Sequence, residues 1–204
     1  EILMQPGFAE LLKSICPNDE TRKRFRQLVV NSVMATDIMD KQLLASRKSR
    51  WDKAFCATED INTETALHRK ATIVIEHIIQ ASDVAHTMQH WHIFIKWNER
   101  LVDELLEAYR NGQSACNPLD NWFEGQIGFF DHYVIPLARK LKECGVFGVS
   151  SDEYLTYALE NRDEWERKGR QVCREMAQKR GYESTETLDN DSVSATPESI
   201  EEET

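Results

Sequence analysis

Apolar positions along this chain recur every three or four residues, and nowhere with the strict alternation of a half-buried strand. Pro17-Asn18-Asp19-Glu20 opens the first clear helix. Asn18 can accept from free N–H groups, and two acids follow at the positive end of the dipole. Phe25, Leu28, Val29 and Val33 then hold one stripe to about Ile38. Residues 40–65 are polar and mixed and predict a connector that contains Trp51. From about Thr65 to Ala85 runs the most apolar stretch, with Ile73, Val74, Ile75, Ile78 and Ile79; it predicts a helix set in the middle of the body. Thr87 is expected to cap a helix through Trp91, Phe94, Trp97, Leu101 and Leu105, which Asn111-Gly112 stops. After a loop at 112–121, the stretch from Trp122 to about Glu143 forms another helix, kinked at Pro136. Ser150 and Glu153 form a capping box for a last helix that reaches about Arg180. The fold class is all-α: a compact multi-helix bundle, without internal repeats.

Composition narrows this picture. A length of 204 residues suits one domain, or one domain and a tail. With 8 Gly and 5 Pro the chain lacks the turns of a sandwich or barrel. No run approaches the ~18 apolar residues of a membrane span. It starts at EILMQPG, without Met, and is expected to be a fragment or a processed product. The net charge is −10, and residues 181–204 carry eight acids and no Lys or Arg. Residues 1–180 therefore read as a nearly neutral folded body, and 181–204 as an acidic, disordered tail. A basic footprint for nucleic acid is missing. Five dispersed cysteines (16, 56, 116, 144, 173), with no C-x-x-C, point to reduced thiols and a cytoplasmic location.

Three groups of residues could carry chemistry. Asp83 ends the most apolar helix, where a carboxylate needs a cation, a metal or several donors, or else caps the next helix. Asp83, His86 and His90 would share one face of a continuous helix and could ligate a metal. A helix break near Ala85–Thr87 would destroy that alignment and leave His90 and His92 at the surface. In Trp122-Phe123-Glu124-Gly125-Gln126-Ile127-Gly128-Phe129-Phe130, two helical glycines cost about 1 kcal/mol each relative to Ala. Close packing or an approaching ligand would account for them. Gln126 and Phe129 share a face; an amide can read a purine edge and a ring can stack on it. The same pattern also fits an aromatic core stripe with Gln at its margin.

Four ordered motifs carry a resemblance. They are Val33-Met34-Ala35-Thr36-Asp37, then Ile79-Gln80-Ala81-Ser82-Asp83-Val84-Ala85-His86, then Trp97-Asn98-Glu99-Arg100-Leu101, then Gln126-Ile127-Gly128-Phe129-Phe130-Asp131 with Pro136 five residues on. Together they resemble the catalytic domain of class I 3′,5′-cyclic nucleotide phosphodiesterases, which reads V-L-A-T-D, A-D-x-S-N-P, W-x-x-R and S-Q-V-G-F-x-D. The resemblance runs from near the N-terminus to about residue 170, within the folded body 1–180, and covers the C-terminal half or so of that domain. It implies hydrolysis of cAMP, cGMP or both to 5′-monophosphates in cyclic nucleotide signalling. A water activated by two divalent ions would attack phosphorus, zinc at the first site and magnesium or manganese at the second. By the same resemblance Asp83 is a metal ligand, Gln126 bonds the purine, and Phe129 and Leu101 clamp its faces. Asp37 and Ile38 line the pocket near the metals. The family's H-N-x-x-H-A and H-D motifs, with the general-acid His, are absent and are expected upstream.

His86 and Thr87 depart from the family's Asn-Pro, so His86 becomes a candidate for contact with the base or phosphate, and the cAMP or cGMP preference stays open. A second reading is a non-enzymatic helical signalling or scaffold module that kept the fold without the metal site. A third, another all-helical metal hydrolase, would need a full ligand set within 1–204. The expected partner is the cyclic nucleotide; protein partners are not indicated.

Overall fold

The computed structural model describes residues 5–38, 40–56, 63–145, 147–148 and 151–182. Its order is a short 3₁₀ turn Pro6–Phe8, then α1 (Ala9–Ile15), α2 (Asp19–Ala35), α3 (Lys41–Trp51), α4 (Glu64–Asp83), α5 (Trp91–Arg110), α6 (Trp122–Phe129), α7 (Ile135–Glu143) and α8 (Ser151–Lys179). There is no strand among the described residues, so the all-α bundle stands. No helix of the described residues is long and apolar enough to cross a membrane.

Local chemistry sets several helix ends where the sequence predicts them. The Asn18 side chain accepts from the Thr21 N–H at 2.8 Å and starts α2. Gly112 and Gly181 adopt positive φ (71° and 73°) just past α5 and α8. There the Gln113 and Tyr182 N–H groups return to Ala108 and Ala177 carbonyls, closing Schellman motifs that a residue with a Cβ would strain. Around Pro136 the single helix expected from Trp122 to Glu143 is divided in two. The chain between α6 and α7 passes through a π-helical segment, Phe130–Val134, because proline offers no N–H and crowds the carbonyl one turn back.

Three expectations are corrected. Residues 40–65 are not a plain connector, since Asp40 accepts from the Gln42 and Leu43 N–H groups and starts α3, which runs on into a π turn, Asp52–Cys56. Thr87 caps nothing. It is buried in a 3₁₀ turn, Ala85–Met88, where its hydroxyl donates to the Val84 carbonyl at 2.7 Å, and α5 starts later. The middle of the body is not α4, whose buried positions are Ile73, Glu76, His77 and Gln80, while Ile75 is 39% exposed. The larger aromatic side chains take the centre instead. Trp165 of α8 is 0% exposed and meets Phe94 of α5 edge-on at 5.6 Å, and Phe94 meets Phe130 at 5.3 Å. The proposed Ser150 cap and the acidic segment 183–204 lie outside the described residues.

Buried polar bonds lock the helices around this centre. Asn161 of α8 donates to the Thr87 and Gln89 carbonyls at 2.9 and 2.7 Å, fixing the turn between α4 and α5. Trp122 donates to Asn98 Oδ1 at 2.9 Å and fixes α6 on α5. Gln80 donates to the Ala35 carbonyl at 3.0 Å and fixes α4 on the end of α2. Arg50 pairs with the buried Glu76 at 2.7 Å and fixes α3 on α4.

Candidate functional site

The end of α4, the loop after α2 and the run from α6 into α7 meet around Tyr133. Asp83 is the last residue of α4, and its side chain is exposed, not buried as its apolar surroundings in sequence suggest. It does not cap α5, whose first turn has His90 at the N-cap and no side-chain cap. The Asp83 charge bears on two neighbours. Burial pushes the His86 imidazole below its usual range, and Asp83 partly offsets this. Burial also pushes the Tyr133 phenol up to about 12, and Asp83 adds to the rise while Arg47 opposes it.

Helix α6 holds Gln126 and Phe129 one turn apart on a shared face. Gln126 is 8% exposed, and its amide makes no hydrogen bond with another described residue. Phe129 is half-buried and stacks on Tyr133 with ring centroids 5.3 Å apart and planes 21° from parallel. The glycines beside them are not there for close packing: among the described residues no heavy atom lies within 4 Å of where a Cβ would stand at Gly125 or Gly128. Gly125→Ala should therefore stabilise the fold by about 1 kcal/mol through helix propensity alone. Urea unfolding checks this, and a loss of stability would mean that another group occupies that space.

On α5, Trp97, Leu101 and Leu105 form an exposed apolar row at four-residue spacing, 47%, 38% and 37% exposed. His86 lies beside it, 6.4 Å from the Trp97 ring, and the Arg100 guanidinium covers that ring at 4.8 Å. Asp37 is exposed and Ile38 half-buried in the loop after α2. The Asp37 carboxylate accepts from the Asp40 N–H at 3.3 Å, and its carbonyl accepts from Arg47 at 2.5 Å. Phe129 thus stacks on Tyr133, on which the Asp83 and Arg47 charges bear, and Arg47 holds the Asp37 loop, while His86 links Asp83 to the α5 row that carries Trp97 and Leu101.

Asp83, His86 and His90 do not gather as ligands, because α4 ends at Asp83 and a 3₁₀ turn intervenes. His90 instead hydrogen-bonds Tyr157 at 3.1 Å. Among the described residues, which include all six histidines, no group of three His, Cys, Asp or Glu could hold a metal ion. Asp83 offers one exposed carboxylate, and the described side chains do not by themselves make a hydrolytic metal centre.

Sequence reasoning missed Arg47 and Tyr133. A signal existed for the first, since Leu43, Arg47 and Trp51 repeat at helical spacing once an arginine is allowed to face inward. Tyr133 carried its signal as the residue one turn after Phe129. Both border a cavity of about 430 Å³ between α3, α4 and the run into α7. Its wall includes His77, whose Nδ1 bonds the Ile73 carbonyl at 2.7 Å. Burial lowers the His77 pKa to about 4, and Lys140, Arg47 and Arg50 hold it neutral against that carbonyl bond.

With this geometry in place, comparison with known proteins is direct. A sequence profile of the family described as 3′5′-cyclic nucleotide phosphodiesterase matches residues 2–147. The chain is similar to the probable 3′,5′-cyclic phosphodiesterase pde-3 of Caenorhabditis elegans, at 23% identity over 160 residues. That alignment covers 70% of this chain and 22% of the relative, so the chain spans about a fifth of that protein's length. No solved structure matches.

Proposed function

We propose, since the chain belongs to the 3′,5′-cyclic nucleotide phosphodiesterase family, that it forms the nucleotide-recognising part of a phosphodiesterase. That enzyme hydrolyses cAMP, cGMP or both to 5′-monophosphates in the cytoplasm. The observation that carries this reading is the α6 face: an amide with no intramolecular partner among the described residues, one turn from a half-buried ring, between two glycines that face open space.

In this reading the Gln126 amide donates to and accepts from the purine edge and fixes its orientation. Phe129 stacks on one face of the base, held flat by Tyr133 behind it, and Leu101 closes on the other. His86 stands where the family has Asn and faces the bound nucleotide. Asp37 and Ile38 border the phosphate end. Asp83 contributes one carboxylate to the divalent ion, and the zinc with magnesium or manganese that the resemblance implies needs ligands beyond it.

Titrating cAMP and cGMP into the chain should shift the NMR signals of Gln126 and Phe129. Gln126→Ala should weaken binding about ten-fold, the loss of one base-edge contact of about 1–3 kcal/mol. Unchanged affinity of a folded Gln126→Ala variant for both nucleotides would leave Gln126 as the margin of a core stripe and overturn the assignment.

A further inference from the structure

The cavity between α3, α4 and the run into α7 carries chemistry that the base-recognising face does not use. Neither Gln126, Phe129 nor Asp83 borders it. Its polar wall is built around Arg47, only 6% exposed. One guanidinium nitrogen, Nη2, is spent on the fold, donating to the Met34 carbonyl at 2.8 Å and the Asp37 carbonyl at 2.5 Å. The other, Nη1, is buried with no hydrogen-bond partner among the described residues, and so is the Tyr133 hydroxyl. A buried charged donor left unpaired is costly, and two unpaired groups on residues that line one cavity point to a ligand that completes them.

The surrounding charge gives the sign of that ligand. Arg47, Lys48 and Lys140 line the cavity against a single lining carboxylate, Asp52. Lys140 is held over the Trp51 ring at 5.1 Å, and Arg50 is already neutralised by Glu76. His77 adds no charge near neutral pH. Leu44, Trp51, Pro136 and Leu137 supply the apolar part of the wall, Gln80, which donates to the Ala35 carbonyl, and His132 complete it, and the volume lies within the range of small-molecule sites.

We infer that this cavity binds a small phosphate monoester, its phosphate accepting from Arg47 Nη1 and the Tyr133 hydroxyl near Lys140, and its organic body resting on Leu44, Trp51 and Pro136. Phosphate suits the wall because it supplies several acceptor oxygens to donors that come from different helices.

Phenyl phosphate titrated into the 204-residue chain by calorimetry tests this, with phenol as the uncharged control of the same body. The chain should bind phenyl phosphate and not phenol. Tyr133→Phe, which keeps the ring and its stacking on Phe129, should weaken binding about ten-fold, as should Lys140→Gln. Gln126→Ala should leave the affinity unchanged, which separates this cavity from the base-recognising face. No binding of phenyl phosphate, equal binding of phenol, or full affinity in both Tyr133→Phe and Lys140→Gln would overturn the inference. So would a Gln126→Ala variant that loses phenyl phosphate, since the anion would then sit on the α6 face.

Discussion

Purified residues 1–204 are expected to leave cAMP and cGMP intact with zinc, magnesium or manganese present. Hydrolysis of a phosphodiester at neutral pH needs a nucleophile stronger than free water, and a bound divalent ion supplies it by acidifying a coordinated water. Such an ion takes about three protein ligands and keeps one position open. Here Asp83 offers one exposed carboxylate, and a neutral His86 beside it is a second at most. Two other histidines are committed, His77 to the Ile73 carbonyl in the cavity wall and His90 to Tyr157. A proton must also be delivered to the departing 3′-oxygen, a step normally given to a positioned acid. Product formation followed by chromatography, with each metal in turn, checks this. Metal-dependent turnover that disappears in Asp83→Ala would show that the described side chains suffice. Nucleotide binding without turnover is the combined outcome the geometry predicts, and binding that ignored Gln126 would favour the scaffold reading.

What the sequence disclosed here divides along a physical line. Asn18, Asn111-Gly112 and Gly181 mark helix ends correctly because the bonds that make those ends are local, spanning three to five residues. The all-α class was legible for the same reason, since helical periodicity is a local property. Helix α3 was not. Its inward stripe is Leu43, Arg47 and Trp51, and Arg47 is buried only because it finds carbonyls 10 and 13 residues back in the chain. Thr87 looked like a cap because nothing local revealed Asn161, 74 residues on, which takes the Thr87 carbonyl and fixes a 3₁₀ turn. Asp83 looked buried because isoleucines precede it, yet α4 turns its polar residues Glu76, His77 and Gln80 inward. The Gln126–Phe129 face was legible as spacing. The openness beside its glycines was not, because sequence cannot separate a glycine that admits a neighbour from one that faces space.

Trp165→Ala should cost about 3–5 kcal/mol of stability, the largest effect of any single truncation considered for this fold. Trp165 is wholly buried and touches aromatic rings from two other helices: Trp91 at 6.4 Å and Phe94 at 5.6 Å on α5, and Phe123 at 6.3 Å on α6. Its indole N–H donates to the Phe123 carbonyl at 3.1 Å, so truncation removes a buried donor along with the ring. The site is also shaped around it. A Cβ at Gly169, one turn further along α8, would lie 2.8 Å from the indole and 2.9 Å from Phe123, so only glycine lets the backbone pass this close. Large rings held from three helices cannot close over a lost indole without moving helices, and the cavity term then adds to the transfer term. At about 2–4 °C per kcal/mol for a chain of this size, the midpoint of thermal unfolding should fall by about 10 °C. Trp165→Phe keeps most of the ring volume but drops the N–H, and should lose clearly less. Circular dichroism melts of the two variants settle the matter. A Trp165→Ala melt within 2 °C of the parent chain, on the same ~2–4 °C per kcal/mol scale, would mean that the α5–α8 aromatic centre does not hold this bundle together.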